Sequence, residues 1–269
     1  MCSPDYFEVN YDGNEFMKNN INMVNKVKAL DQWNDLKKVY EDLGFKVELI
    51  EPVKGLVDMV FTANQSLPFL DNDEKKNVIL SKMKNVQRKD EVKYFREYYE
   101  KRNYKVTELP EYIEYFESMG DCVIDYKRNI LFGGYGFRTQ ENTFDFISKH
   151  TNFNVVKLKL VNHILYHLDT CLSVLNSHTA VVAATAFDDK GIDAINNHFE
   201  NIIFAEEEEN LKYFVCNCHC PDERNVIVQK GSVKFKEDIR KTGFSIIEVE
   251  TGEFIKSGGS VFCMKLMYY

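Results

Sequence analysis

The chain has 269 residues, 44% of them hydrophobic, with seven cysteines and a formal net charge of −8. That length buries a substantial core, and the acidic balance excludes nucleic acid as a general partner, because phosphate binding needs a basic face. With no apolar run of membrane-spanning length, no basic and apolar leader in the first eight residues, and an odd number of cysteines without a framework, a cytoplasmic protein with no membrane partner is expected.

Along the chain one phrase recurs: a charged amphipathic helix, a turn, an aromatic or apolar anchor, and a short strand. The helical patterns fall at roughly 29–43, 89–102, 140–150, 189–199 and 235–241. In the first of them Leu30, Trp33, Leu36, Val39 and Tyr40 share helical spacing. The anchors are Phe45, Tyr104, Phe153, Ile202 and Phe244, roughly 40–60 residues apart, which is the range of repeat architectures. Further apolar strands are predicted at 59–62, 122–125 with 129–132, 180–183 and 226–229, and the segment 261–266 reads as a strand entered from a glycine-rich loop. Each unit is too small to bury its own apolar face, so five units around an axis are the natural closure. No linker composition interrupts the series, which predicts one α/β domain over residues 1–269. A generic α/β protein with alternating helices and strands gives the same pattern.

Equivalent loops of such a repeat converge on the axis. The positions about 13–19 residues after each anchor hold Asn64, Glu117, His167 with Asp169, Asn217, and Cys263. Together they supply a thiol nucleophile, an imidazole acid/base, carboxylates and amides, a set suited to attack on an electrophilic carbon inside a cationic, nitrogen-rich group. Each has a plainer alternative: Asn64 a strand-ending turn residue, Glu117 and Asp121 loop carboxylates, His167 and Asp169 a satisfied surface pair, Cys263 an inert buried thiol.

Five segments carry a resemblance across essentially the whole chain: Cys2-Ser3-Pro4-Asp5-Tyr6-Phe7, Phe61-Thr62-Ala63-Asn64, the loop from Phe116-Glu117 to Gly120-Asp121, His167-Leu168-Asp169-Thr170, and Gly258-Gly259 followed by Cys263. In this order they resemble the guanidino-group-modifying (pentein) superfamily of arginine deiminases, dimethylarginine dimethylaminohydrolases, dihydrolases and amidinotransferases. The resemblance implies a five-bladed α/β propeller around a narrow pocket. It implies Cys263 as nucleophile, His167 as general acid/base, and Glu117, Asp121 and Asp169 as groups that bind or orient the guanidinium and imidazole. Arg88 and Arg138 match two arginines that hold a substrate α-carboxylate, a task suited to a bidentate fork, and Asn14 matches a contact to the α-amino end. The chain has Gly13-Asn14-Glu15-Phe16 where family members often show Ile-Asn-Pro-Trp, and Gly-Gly-Ser where a third glycine is common.

Asn64 stands where deiminases and dimethylaminohydrolases usually carry a carboxylate, and the Thr-Ala-Asn triplet resembles the arginine dihydrolase branch. An amide both donates and accepts, so it can hold a neutral ureido group as well as a cation. The implied function is hydrolysis of arginine to ornithine, two ammonia and carbon dioxide, with no metal and no cofactor and a small-molecule substrate as partner. The alternatives are a dimethylarginine dimethylaminohydrolase, a citrulline-forming deiminase, or a non-catalytic binding protein of this fold. Oligomeric state is left open, a homo-oligomer included.

Three other features are set aside. Cys216-Asn217-Cys218-His219-Cys220 packs four potential ligands into five residues, too close to wrap one ion tetrahedrally; Cys218 and Cys220 are expected as surface thiols, and 213–216 as a strand entering the pocket. The acidic run Glu206–Glu209 reads as a solvated loop. The lysine-rich stretch 82–93, which contains Arg88, reads as charged surface or a lid.

Overall fold

Residues 1–269 are described by a computed structural model. Helix α1 (Lys26–Asp42) starts where the Asn25 side chain accepts the Lys28 N–H at 3.0 Å, an N-cap that satisfies one of the helix's orphan donors. It buries Ala29, Trp33, Leu36 and Tyr40, while Leu30, expected on that face, is 42% exposed. The buried stripe is thus turned toward Ala29, where a small residue allows close approach.

Three sheets then repeat one plan: an antiparallel hairpin, a helix, and a third strand laid parallel to the second. The first pairs β1 (Ser66–Leu70) with β2 (Lys76–Leu80), then crosses through α2 (Glu91–Glu100) to β3 (Lys105–Thr107). The second uses β4 (Cys122–Asp125), β5 (Ile130–Tyr135), α3 (Thr143–His150) and β6 (Asn154–Lys159). The third uses β7 (Leu172–Asn176), β8 (Thr179–Val182), α4 (Asp189–His198) and β9 (Asn201–Phe204). The hairpin turns are written in Asx chemistry: Asp71 accepts the N–H groups of Asp73 and Lys75, Asp125 those of Lys127 and Arg128, and Asn176 that of His178. Such residues bend the backbone back on itself by supplying an acceptor to the following N–H groups.

The fourth sheet is shorter. After α5 (Glu207–Tyr213), β10 (Asn225–Gln229) leads through α6 (Lys234–Lys241) to parallel β11 (Ser245–Val249), and the place of a first strand is taken by a single antiparallel bridge, His219 to Ile227. Helix α7 (Gly252–Ile255) precedes the glycine-rich loop. The unit around α1 has no sheet, only a parallel bridge between Cys2 and Ile50. The protein is an α/β fold with four sheets, where the sequence pattern led us to expect five equivalent units. No helix is long and apolar enough to cross a membrane.

Several local expectations are corrected. Segments 59–62 and 261–264 are turns, not strands. Segment 213–216 is the end of α5, a left-handed Phe214 and a tight 3-10 turn at Val215–Asn217. The acidic run forms the first turn of α5, where carboxylates favour the positive end of the helix dipole. Glu209 reaches on to accept the N–H groups of Val233, Lys234 and Phe235 at 2.7, 3.0 and 2.9 Å. Cys218 and Cys220 are buried rather than surface thiols.

Candidate active site

Tight 3-10 turns precede the first strand of successive units: Ser118–Gly120 before β4, Leu168–Thr170 before β7, and Val215–Asn217 before the His219 bridge. They present Glu117, His167 and Asn217, which recur at intervals of 50 residues. All three are buried, and Gly120 leaves room for Asn64 beside the His167 ring. A Cβ there would lie 2.4 Å from Asn64 Nδ2 and 3.1 Å from the His167 ring.

The structure brings Asn14, Asn64, Arg88, Arg138, His167 and Cys263 onto one narrow cavity. His167 Nε2 lies 2.8 Å from Glu117 Oε2. Glu117 also accepts the Lys84 N–H at 3.0 Å and the Arg138 guanidinium at 3.3 and 3.4 Å. Burial pushes the Glu117 carboxyl up, but Arg138 and His167 together outweigh burial and hold it down at about 2. Arg138 also donates to Gly13 O at 2.8 Å and lies over the Tyr166 ring.

Cys263 is held from two sides. Its thiol donates to Asp169 Oδ2 at 3.0 Å and accepts from Asn217 Nδ2 at 3.2 Å. Asn217 Oδ1 meanwhile accepts the backbone N–H groups of Phe262 and Cys263. Burial, with the Asp169 charge and hydrogen bond behind it, pushes the Cys263 thiol well above the ordinary range. Burial likewise pushes Asp169 up to about 7, against the hydrogen bonds from Cys263 and Asn217. Both groups therefore favour fewer negative charges until a cation arrives, and a cation lowers both.

The remaining expected residues are differently employed. Asp121 lies off the cavity, its Oδ1 accepting the Leu168 N–H at 3.1 Å, so that it sets the turn carrying His167 and Asp169. Arg88 is buried at the end of a 3-10 turn rather than on an open lid. It is clamped by Glu91 at 2.9–3.2 Å, and its Nη1 donates to Asn64 Oδ1 at 2.8 Å. Asn64 Nδ2 is buried without a partner. Asn14 pins two loops together: Nδ2 donates to Tyr166 Oη and Ser257 O, and Oδ1 accepts the N–H groups of Phe16 and Met17.

Sequence reasoning missed Tyr11, Asp58, Tyr166 and Ser257 on the cavity wall. Asp58 accepts from Tyr11 Oη at 2.5 Å and from Ser257 Oγ at 3.0 Å. Its signal was available, since Asp58 is the one carboxylate in the apolar run 56–61. Asn217 was placed at the axis but given no task, its position obscured by the cysteines around it.

The model of the family described as N,N dimethylarginine dimethylhydrolase, eukaryotic, matches residues 3–267. The chain belongs to this family. Among similar proteins, the bifunctional arginine dihydrolase/ornithine cyclodeaminase AgrE of Nostoc is 33% identical over 99% of this chain, which spans 37% of AgrE. The N(G),N(G)-dimethylarginine dimethylaminohydrolase of Mycobacterium tuberculosis is 30% identical over 99% of this chain and 84% of its own length. Among solved structures, the N-terminal domain of ArgZ, described as an arginine dihydrolase of cyanobacteria and captured as a cysteine-to-serine variant bound to substrate, superposes with a TM-score of 0.91. Its sequence is 33% identical, and the match covers 99% of this chain and 96% of that one. The family thus accounts for nearly every residue of the fold described above.

Proposed function

We propose that this chain is a cysteine-dependent hydrolase of the arginine guanidinium group, an L-arginine dihydrolase that forms ornithine, two ammonia and carbon dioxide. The observation that carries this reading is the position of Cys263, hydrogen-bonded to Asp169 and Asn217 on the wall of a cavity that also receives His167, itself bound to Glu117. Relatives described as arginine dihydrolases support the substrate. The ornithine cyclodeaminase activity in AgrE's description is not carried over, because the chain spans 37% of that protein.

In this reading the arriving guanidinium supplies the positive charge that lowers the Cys263 pKa, and the thiol proton passes to His167 as the cation settles against Asp169. The thiolate attacks the guanidinium carbon, forming a C–S bond. His167 protonates the departing nitrogen, the C–N bond breaks, and ammonia leaves a thiouronium adduct. Water deprotonated by His167 adds to that carbon and expels the thiolate, giving a bound ureido group. A second attack by Cys263 expels the second ammonia. A second water then cleaves the carbamoyl thioester to a carbamate, which loses carbon dioxide and leaves ornithine. Two waters are consumed for two ammonia and one carbon dioxide.

Glu117 keeps the imidazole oriented and stabilises its protonated form. Asn64, held by Arg88, offers its free Nδ2 to the neutral ureido oxygen. Arg138 and the remaining Nη1 hydrogen of Arg88 hold the α-carboxylate, Asn14 lies toward the α-amino end, and Asp121 positions the turn carrying His167. Four similar sheets, with α1 and the Cys2–Ile50 bridge, support reading residues 1–269 as a single domain of five α/β blades.

A second reading, release of dimethylamine from methylated arginine, is favoured by the family model and by the mycobacterial relative. Incubation of the purified protein with L-arginine and with dimethylarginine separates the two. Two ammonia per ornithine supports the dihydrolase, one ammonia per citrulline a deiminase, and dimethylamine the alternative. Cys263→Ser should abolish turnover while the circular dichroism spectrum is unchanged; a fully active serine variant overturns the covalent mechanism.

A further inference from the structure

A second cavity, of about 260 Å³, shares no lining residue with the one just described. Apart from three residues its wall is hydrophobic, with Val123, Ile124, Val174, Phe262 and Tyr268 among its members. One of the three is Lys265, two residues after Cys263. It is 4% exposed, yet its ammonium group meets no carboxylate, carbonyl or hydroxyl and rests 3.3 Å from the centre of the Phe262 ring. His219 stands on the same wall with Nδ1 engaged by Tyr40 Oη at 2.9 Å. When Tyr40 donates that bond, Nε2 carries the ring hydrogen and is a second donor.

A buried amine without an acceptor is costly, and an apolar side chain of similar volume would be the more stable choice at this position. Burial also pushes the amine down to about 7, against the pull of Asp169 and Cys263. From the cavity and its single unpartnered cation, we propose that this is a binding site for a small monocarboxylate with a compact apolar body, the carboxylate on Lys265 and the body among Val123, Ile124, Val174 and Phe262. A neutral ligand leaves the amine unpaired. A dianion brings a second charge to a wall that holds no second cation. The site uses none of the groups assigned to arginine chemistry, so the inference stands whether or not that chemistry is confirmed.

The test is calorimetric titration of the full chain with benzoate, benzyl alcohol and phthalate, three probes of one ring carrying one, no and two negative charges. Benzoate should bind at least tenfold more tightly than either of the others. In Lys265→Met the advantage of benzoate over benzyl alcohol should disappear, and in Val174→Trp, which fills the cavity from β7, all binding should be lost. Benzoate binding unchanged in Lys265→Met, equal affinities for benzoate and benzyl alcohol, or no benzoate binding tighter than about 10 mM would each overturn the proposal. Should Lys265→Met fail to fold, Val174→Trp together with Lys265→Arg decides the matter: the arginine variant must keep the preference for benzoate, and the tryptophan variant must lose it.

Discussion

Replacement of Glu117 by glutamine gives a quantitative test of the buried polar cluster. The carboxyl is held at about 2, against an ordinary value of 4.5, with the Arg138 guanidinium and His167 prevailing over a desolvation penalty of opposite sign. One pKa unit is worth about 1.4 kcal/mol, so the ionised carboxylate contributes about 3 kcal/mol to folding. Glutamine mimics the protonated acid in shape and charge, and it leaves Arg138 buried without its counter-ion, a change of the same order as breaking other buried pairs. The variant should therefore be less stable by about 3 kcal/mol at pH 7. A depressed carboxyl stabilises the fold above its unfolded pKa and loses that effect as pH falls toward its folded one. The gap between the two proteins should accordingly be full above pH 4.5 and close as pH approaches 2. Urea unfolding followed by the fluorescence of Trp33, the one tryptophan and a buried one, measures both quantities. A loss below about 1 kcal/mol, or a gap that does not change with pH, would refute the electrostatic account.

Three further changes probe neighbouring groups. Asn64→Asp retains the acceptor for Arg88 but removes the free amide donor, so citrulline should accumulate relative to ornithine on amino-acid analysis; an unchanged product ratio would free Asn64 from that task. Gly120→Ala puts a methyl group 2.4 Å from Asn64 Nδ2 and 3.1 Å from the His167 ring. It should lower kcat by about 10- to 100-fold with a stability loss of about 1–3 kcal/mol, and wild-type kinetics would show that the turn yields more than the geometry allows. Asp169→Asn removes a carboxyl that burial has pushed up to about 7. A raised carboxyl supports folding below its unfolded pKa and loses that support as pH rises through the folded one. The asparagine variant should therefore outlast the wild type at pH 8 by about 1–3 kcal/mol, lose that advantage at pH 4, and turn over arginine at least about 100-fold more slowly.

Much of this architecture was legible because helix and strand write different periods into the sequence. The helices beginning at Lys26, Glu91, Thr143, Asp189 and Lys234 overlap the amphipathic stretches predicted for them, and β4, β5, β8 and β10 overlap the apolar runs. The failures share a cause. Segments 59–62 and 261–264 are apolar because they are buried beside the active-site cavity, and 213–216 because it packs into the largest hydrophobic core; none pairs in a ladder, and a short apolar run reads the same in either case. At the site, a similar spacing from an aromatic anchor was enough to bring Asn64, His167 and Cys263 to one cavity, because the units repeat. It could not reveal Asp58, Tyr11 or Ser257, which come from loops between the repeated elements. Nor could it show that Arg88 is already clamped by Glu91, since that pairing depends on one 3-10 turn.

The bond between Asn217 and the segment that follows Ser260 has a consequence for how the protein is made. A nascent chain that has emerged as far as Val249 carries the strands of all four sheets, and His167, Glu117 and Asp169 on the turns between them, but not Cys263. At roughly 5–20 residues per second the missing segment follows within seconds, and only then can Asn217 receive Phe262 and Cys263. On the ribosome the cavity lacks the proposed nucleophile until that moment. A product truncated a dozen residues early would therefore lack Cys263 and leave Asn217 without the two backbone N–H groups it holds.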